Sequence, residues 1–332
     1  MKQSIKTTFT IIGSVIGAGF ISGKELVRFY GGQAFVPFLA WTGILFFAYL
    51  LFLLRVGKRF NGFNGYLDAK LKTWEKIVRG IFLVCSFISV VAMLAGINAL
   101  EESFSPYIAV VTAIFCAFSV KKGVSGIGTV NLILVPFIVG YIAVCLFQKG
   151  EFSFSGEQPS LFLGTGLVLI YAAMNIVLSA PGVMDCGREL SGNGQIVGIS
   201  IFSSIVITFC IGLVLSAIAA TDGAAEQTMP LLYVLSGDRF FALISYFGIV
   251  TTLVSSYYPL HTVFEGRKHK RAARAVTLAA ACGCSLLGLS SIVNYLYPVM
   301  GIFGALFLGF VIFNDELFRQ RYDKIHYARQ KT

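Results

Sequence analysis

Two short segments of this 332-residue chain place chemistry-bearing groups in an otherwise apolar setting. The first, Gly13-Ser14-Val15-Ile16-Gly17-Ala18-Gly19-Phe20-Ile21-Ser22-Gly23, holds four glycines in eleven residues. The second, Tyr171-Ala172-Ala173-Met174-Asn175-Ile176-Val177-Leu178-Ser179-Ala180-Pro181-Gly182, holds an amide side chain and a Pro-Gly pair. Glycine and proline weaken a helix, and a helix that unwinds frees amide donors on one side of the break and carbonyl acceptors on the other. Free amides at a positive helix end suit an anion such as a carboxylate. Free carbonyls suit a hard cation such as sodium. The first segment also admits a plainer reading, close helix packing through the Gly13-x-x-x-Gly17 pattern, and taken alone it leaves both open.

The elements that must hold these segments follow from composition. Hydrophobic residues make up 56% of the chain, charged residues 13%, and the mean hydropathy is +0.80. Soluble proteins carry about 25% charged residues, so this chain is an all-α integral membrane protein. Long continuous apolar runs, such as the uncharged residues 35–54, exclude the alternating segments of an outer-membrane barrel and match the roughly 20 residues a helix needs to cross a bilayer. Ten spans are expected, at about 7–30, 33–55, 77–100, 106–120, 124–148, 160–186, 196–220, 239–262, 273–290 and 293–313. The first run is long, glycine-interrupted and without a small-residue cleavage site, which reads as a span rather than a cleavable signal peptide.

Ten spans put both termini on one side. With that side cytoplasmic, all of the 26 basic residues except Lys24, Arg28, Lys149 and Arg239 fall inside, while the 16 acids divide evenly. This asymmetry is the positive-inside pattern and points to a multi-pass protein of the plasma membrane. The net charge of +10 then needs no nucleic acid; the basic clusters at 267–274 and 319–331 read as topological anchors, with contact to anionic lipid as the other reading. The seven cysteines lie almost wholly within spans and read as packing residues. No His/Cys spacing suggests a metal site.

The two segments lie about 158 residues apart, close to half the chain, and each opens a half of five spans. Five is odd, so the halves enter the membrane from opposite sides. The expected architecture is one transporter domain over 1–332: a first repeat at about 7–148, an inverted second repeat at about 160–313, and a cytoplasmic tail at 314–332. Helices 1 and 6 would break at mid-membrane, where paired interruptions in inverted repeats mark a substrate site.

These residues resemble the amino acid, polyamine and organocation (APC) transporter superfamily with its LeuT-like fold, and within it the YkvI-type bacterial membrane proteins, which carry a similar Gly-x-Gly-Phe-x-Ser-Gly-x-Glu segment in the first span. The eighth span adds Phe247-Gly248-Ile249-Val250-Thr251-Thr252 followed by Pro259, similar to the segment that contributes to the superfamily's sodium site. The resemblance implies one coupling sodium held by the Thr251 and Thr252 side chains and the carbonyls of Gly248, Gly13 and Ile16. It implies no other cofactor. The alternative for mid-span threonines is a hydrogen bond to their own helix. Residues 124–148 contain no lysine to replace the ion as in proton-coupled relatives, and Phe20 stands where a second sodium site would have an asparagine.

A small organic solute such as an amino acid would meet Ala18, Gly19, Phe20, Tyr171, Met174 and Asn175. Glu25 and Arg28, near the outer end of the first span, are a candidate external gate or a simple pair three residues apart. Asp185, Arg188 and Glu189, at the inner end of the sixth span, read as capping or anchoring. In the external loop 221–239, the apolar stretch 229–235 predicts a short helix over the vestibule. The expected function is sodium-coupled symport by alternating access; the alternative is a solute sensor on the same fold, on the pattern of spore germinant receptor subunits. No His-Glu-x-x-His, Gly-x-Ser-x-Gly or Walker sequence supports an enzyme or an ATP-driven pump. Nothing in the sequence sets an oligomeric state.

Overall fold

The first span is broken. In the computed structural model, α1 (Lys2–Val15) includes Gly13 and ends two residues after it, α2 (Ala18–Ser22) follows, and α3 (Lys24–Tyr30) completes the span. The bend between α2 and α3 sits at Gly23, which adopts φ +78°, the left-handed region that glycine enters without a β-carbon penalty. A β-carbon there would lie 2.8 Å from Ile218 Cδ1 and 3.2 Å from the Leu231 amide nitrogen, so both backbone angle and space require glycine. Residues 2–16, 18–71, 74–100, 107–119, 124–154, 161–235, 239–264 and 268–314 are described. Gly17 and the tail from 315 onward therefore lie outside the described residues.

The described elements are all helical. After α3 come α4 (Val36–Arg59), the short α5 (Phe63–Lys70), α6 (Glu75–Leu100), α7 (Tyr107–Ser119), α8 (Val124–Lys149), α9 (Leu161–Arg188) and α10 (Asn193–Ala219). Then follow α11 (Pro230–Val234), α12 (Arg239–Val263), α13 (Lys270–Ser285), α14 (Leu289–Ser291) and, through the π-helical segment Ile292–Leu296, α15 (Tyr297–Asn314). Among the described residues, six stretches are individually long and apolar enough to span a bilayer: Val36–Arg59, Glu75–Leu100, Leu161–Arg188, Asn193–Ala219, Phe240–His261 and Leu289–Phe313. Large apolar side chains stay exposed on α7 (Val111, Phe115, Phe118) and α10 (Phe202, Ile205, Phe209), as a surface solvated by lipid requires. This is a multi-pass membrane protein.

The expected break in the sixth span is absent. α9 runs unbroken through Asn175, Pro181 and Gly182, because its polar groups find partners within the helix. The Asn175 amide donates to the Tyr171 carbonyl oxygen at 3.1 Å, and the Ser179 hydroxyl to those of Asn175 at 2.9 Å and Ile176 at 3.3 Å. Pro181 removes one backbone donor, a loss that membrane helices tolerate when neighbours and hydroxyls satisfy the freed groups. α9 packs between α4 and α15 at backbone contact. A β-carbon on Gly57 of α4 would overlap the Met184 carbonyl, and one on Gly304 of α15 the Ala173 carbonyl.

α5 belongs to none of the expected spans. Its eight residues lie between α4 and α6, and its first backbone amide, that of Phe63, donates to Asp185 Oδ1 of α9. The expected capping role of Asp185 is thus exerted on a different helix.

Candidate functional site

The break in the first span opens onto a cavity of about 70 Å³. Five elements converge there: α1 supplies Ser14 and Val15, α3 Glu25, α6 Ser86, Ser89 and Met93, α9 Asn175 and Leu178, and α12 Thr252, Ser255, Ser256 and Pro259. The chain leaves helical geometry at Ile16, so the last turn of α1 ends beside this space. The Ile12 carbonyl still receives the Ile16 amide at 2.9 Å, and the Ile11 carbonyl receives the Ser14 hydroxyl at 2.7 Å.

Two hydroxyls of α12 that line the cavity donate to carbonyls of their own helix. Thr252 donates to the Gly248 carbonyl oxygen at 3.1 Å, and Ser255 to that of Thr251 at 2.9 Å. Ser89 and Ser256, on facing helices, share a hydrogen bond of 2.8 Å. A hydroxyl whose single proton is committed to a helix carbonyl presents only lone pairs to its other side.

Glu25 carries the cavity's charge. It is 4% exposed, and the Tyr171 hydroxyl donates to its Oε1 at 3.4 Å. Among the described residues no ion pair involves it. Tyr171 is itself fixed in an aromatic cluster, with ring centroids 5.4 Å from Tyr30, 5.5 Å from Phe29 and 6.4 Å from Phe46. Arg28 turns elsewhere: its Nε donates to the Asn294 carbonyl oxygen at 3.4 Å. The pairing of Glu25 with Arg28 that their spacing allows is therefore not formed. Lys24 points outward, its Nζ donating to the carbonyl oxygens of Gln227 at 2.8 Å and Ala225 at 3.5 Å. Those carbonyls belong to the loop before α11, which buries Leu231 and Val234 beside the break; the short helix expected within 229–235 is present.

The expected solute and ion residues divide. Asn175 and Thr252 line the cavity, together with the end of α1 that follows Gly13. Phe20, Tyr171 and Met174 are buried in the surrounding core, and Ile16 is 4% exposed. Ala18 and Gly19 lie in α2, with side chains outside the description. Gly248 packs on Ile21 of α2 and Ile138 of α8, and its carbonyl accepts the hydroxyls of both Thr251 and Thr252, the local bonding anticipated as the alternative for these threonines. Ser14, Ser86, Ser89, Ser255 and Ser256 were not singled out from the sequence, although Thr251, Thr252, Ser255 and Ser256 share helical spacing within an apolar span. Among the described residues no group of three or more His, Cys, Asp or Glu side chains converges on a metal-sized site.

No protein-family profile matches the chain. It is 23% identical over 322 residues to the uncharacterized protein YyaD of Bacillus subtilis (strain 168), covering 91% of this chain and 94% of that protein. It is also 23% identical over 326 residues to the uncharacterized membrane protein YkvI of the same organism, covering 91% and 93% respectively. A mutant form of the manganese transporter of Eremococcus coleocola superimposes with a TM-score of 0.59 at 14% identity, over 93% of this chain and 78% of that one. The chain has the fold of a membrane transporter.

Proposed function

We propose that this chain is a secondary active transporter that carries a small organic solute, such as an amino acid, in symport with sodium by alternating access. The observation that carries this reading is the break of the first span, which ends α1 at a small cavity where α3, α6, α9 and α12 meet. A cavity of about 70 Å³ is well below the roughly 300–1,000 Å³ of ordinary ligand pockets. It corresponds to a shut conformation that must widen to admit a solute, with the α11 loop above it as the external cover.

In this reading the helices make ten crossings as two inverted halves, α1–α8 and α9–α15, with both termini cytoplasmic. Sodium sits with the Gly13, Ile16 and Gly248 carbonyls and the hydroxyls of Thr251 and Thr252. Those hydroxyls already donate to Gly248 and so keep lone pairs for an ion. The manganese of the structural neighbour is not carried over, since among the described residues only one carboxylate, Glu25, lines the cavity. The test is uptake into proteoliposomes under an imposed sodium gradient, with amino acids supplied in turn. Sodium-driven accumulation is expected, reduced about tenfold or more in Thr252→Ala and Thr251→Ala. Binding without flux would instead make the chain a solute sensor, and sodium dependence unchanged in both variants would remove the ion assignment.

A further inference from the structure

A carboxylate buried without a positive partner is costly, because its charge loses hydration that a low-dielectric interior does not return. Glu25 is 4% exposed and faces a cavity, and its hydrogen-bond partner is one phenol at 3.4 Å. The two basic residues nearest in sequence are committed elsewhere, Lys24 to the external loop and Arg28 to the Asn294 carbonyl. The titratable side chains that approach Glu25 from neighbouring elements are the phenols Tyr30, Tyr171 and Tyr297. Across the cavity, Ser14, Thr252 and Ser255 have committed their protons to helix carbonyls. The space is therefore bounded by one carboxylate and several oxygen lone pairs.

We infer that this cavity is a binding site for a monovalent cation, with Glu25 as its counter-charge and Ser14, Asn175, Thr252 and Ser255 as its neutral oxygen donors. Single positive charge follows from the single carboxylate. More than one oxygen donor fits a sodium ion or an ammonium group with three N–H bonds better than a lone proton, which the carboxylate alone would satisfy. At its volume in this structure, about 70 Å³, the space admits sodium or the head of a primary amine. This site shares Thr252 and the end of α1 with the sodium set proposed above and adds the carboxylate that set lacks. It deepens the transport reading and rests on that reading only for the cation's being carried, not for its binding.

The test is binding to the full chain purified in detergent, followed by thermal unfolding, in choline chloride with added sodium chloride or methylammonium chloride. Stabilisation by methylammonium alone identifies a protonated amine as the occupant; stabilisation by sodium alone identifies the inorganic ion; either supports the site. In Glu25→Gln, which keeps the shape and removes the charge, the apparent affinity is expected to fall at least about tenfold. No stabilisation of the native chain by either cation, or equal stabilisation of Glu25→Gln, overturns the inference. A second measurement on the native chain covers the case in which that variant does not fold. Binding through a carboxylate must weaken as protons compete for it across about pH 4 to 9, and pH-independent binding overturns the site. Cation binding without flux would leave the site standing and remove the transport reading. Sodium-driven uptake undiminished in Glu25→Gln would do the reverse.

Discussion

Asp185 of α9 caps a helix that it does not belong to: its Oδ1 accepts a 3.0 Å hydrogen bond from the backbone amide of Phe63, the first residue of α5. The two residues are 122 positions apart, so the bond ties the loop after α4 to the end of α9. The approach is close because Gly62, at φ +98°, leaves no β-carbon in the carboxylate's way.

Removing this cap orphans an amide at a helix start. Asp185→Ala is expected to lower stability by about 1 kcal/mol, read as a drop in melting temperature in detergent, while Asp185→Asn, which keeps an acceptor oxygen, retains most of it. An unchanged melting temperature in Asp185→Ala would show that the bond contributes nothing.

The contact between α15 and α9 makes a sharper demand. Gly304→Ala places a methyl group against the Ala173 carbonyl and 3.2 Å from Val177 Cβ, and forced overpacking of this kind costs about 1–3 kcal/mol. Gly309→Ala in the same helix meets nothing within 4 Å and should be neutral or slightly stabilising. Thermal melting of the two variants compares them directly, and equal effects would refute the close-packing account.

Lys24 holds the loop before α11 by its ammonium group. Replacing it by methionine keeps the apolar stem and deletes the charge-assisted bonds to Gln227 and Ala225, each worth about 1.5–3 kcal/mol. Hydrogen exchange of the amides in residues 224–235 is expected to quicken at least about tenfold, with exchange in α9 unaltered. Unaltered exchange in the loop would mean that apolar packing alone keeps it closed.

The long helices were legible because each is a continuous apolar run, and the first break because four clustered glycines leave little helical propensity. The continuity of α9 was not. Asn175 and the Pro181-Gly182 pair read as interruptions, yet Asn175 hydrogen-bonds within the helix, as does Ser179, and Pro181 costs it one donor. α5 escaped notice because it is eight residues long, polar, and capped from a distant part of the chain. Glu25 and Arg28 read as a pair from their spacing, but the left-handed turn at Gly23 starts α3 at an angle that sends one side chain inward and the other to Asn294. The serines of α6 and α12 were visible as residues; that their faces meet at the end of α1 is a property of packing that no local pattern encodes.

The turn at Gly23 also has a genetic consequence. Every missense change reachable from a glycine codon by one base introduces a β-carbon, whether as alanine, valine, serine, cysteine, aspartate, glutamate, arginine or tryptophan. At φ +78°, with Ile218 and the Leu231 backbone already against the α-carbon, each of those alleles is strained in its backbone as well as crowded. In a population of sequences keeping this packing, position 23 has no neutral neighbour, and a deep mutational scan would record it as a single-letter site.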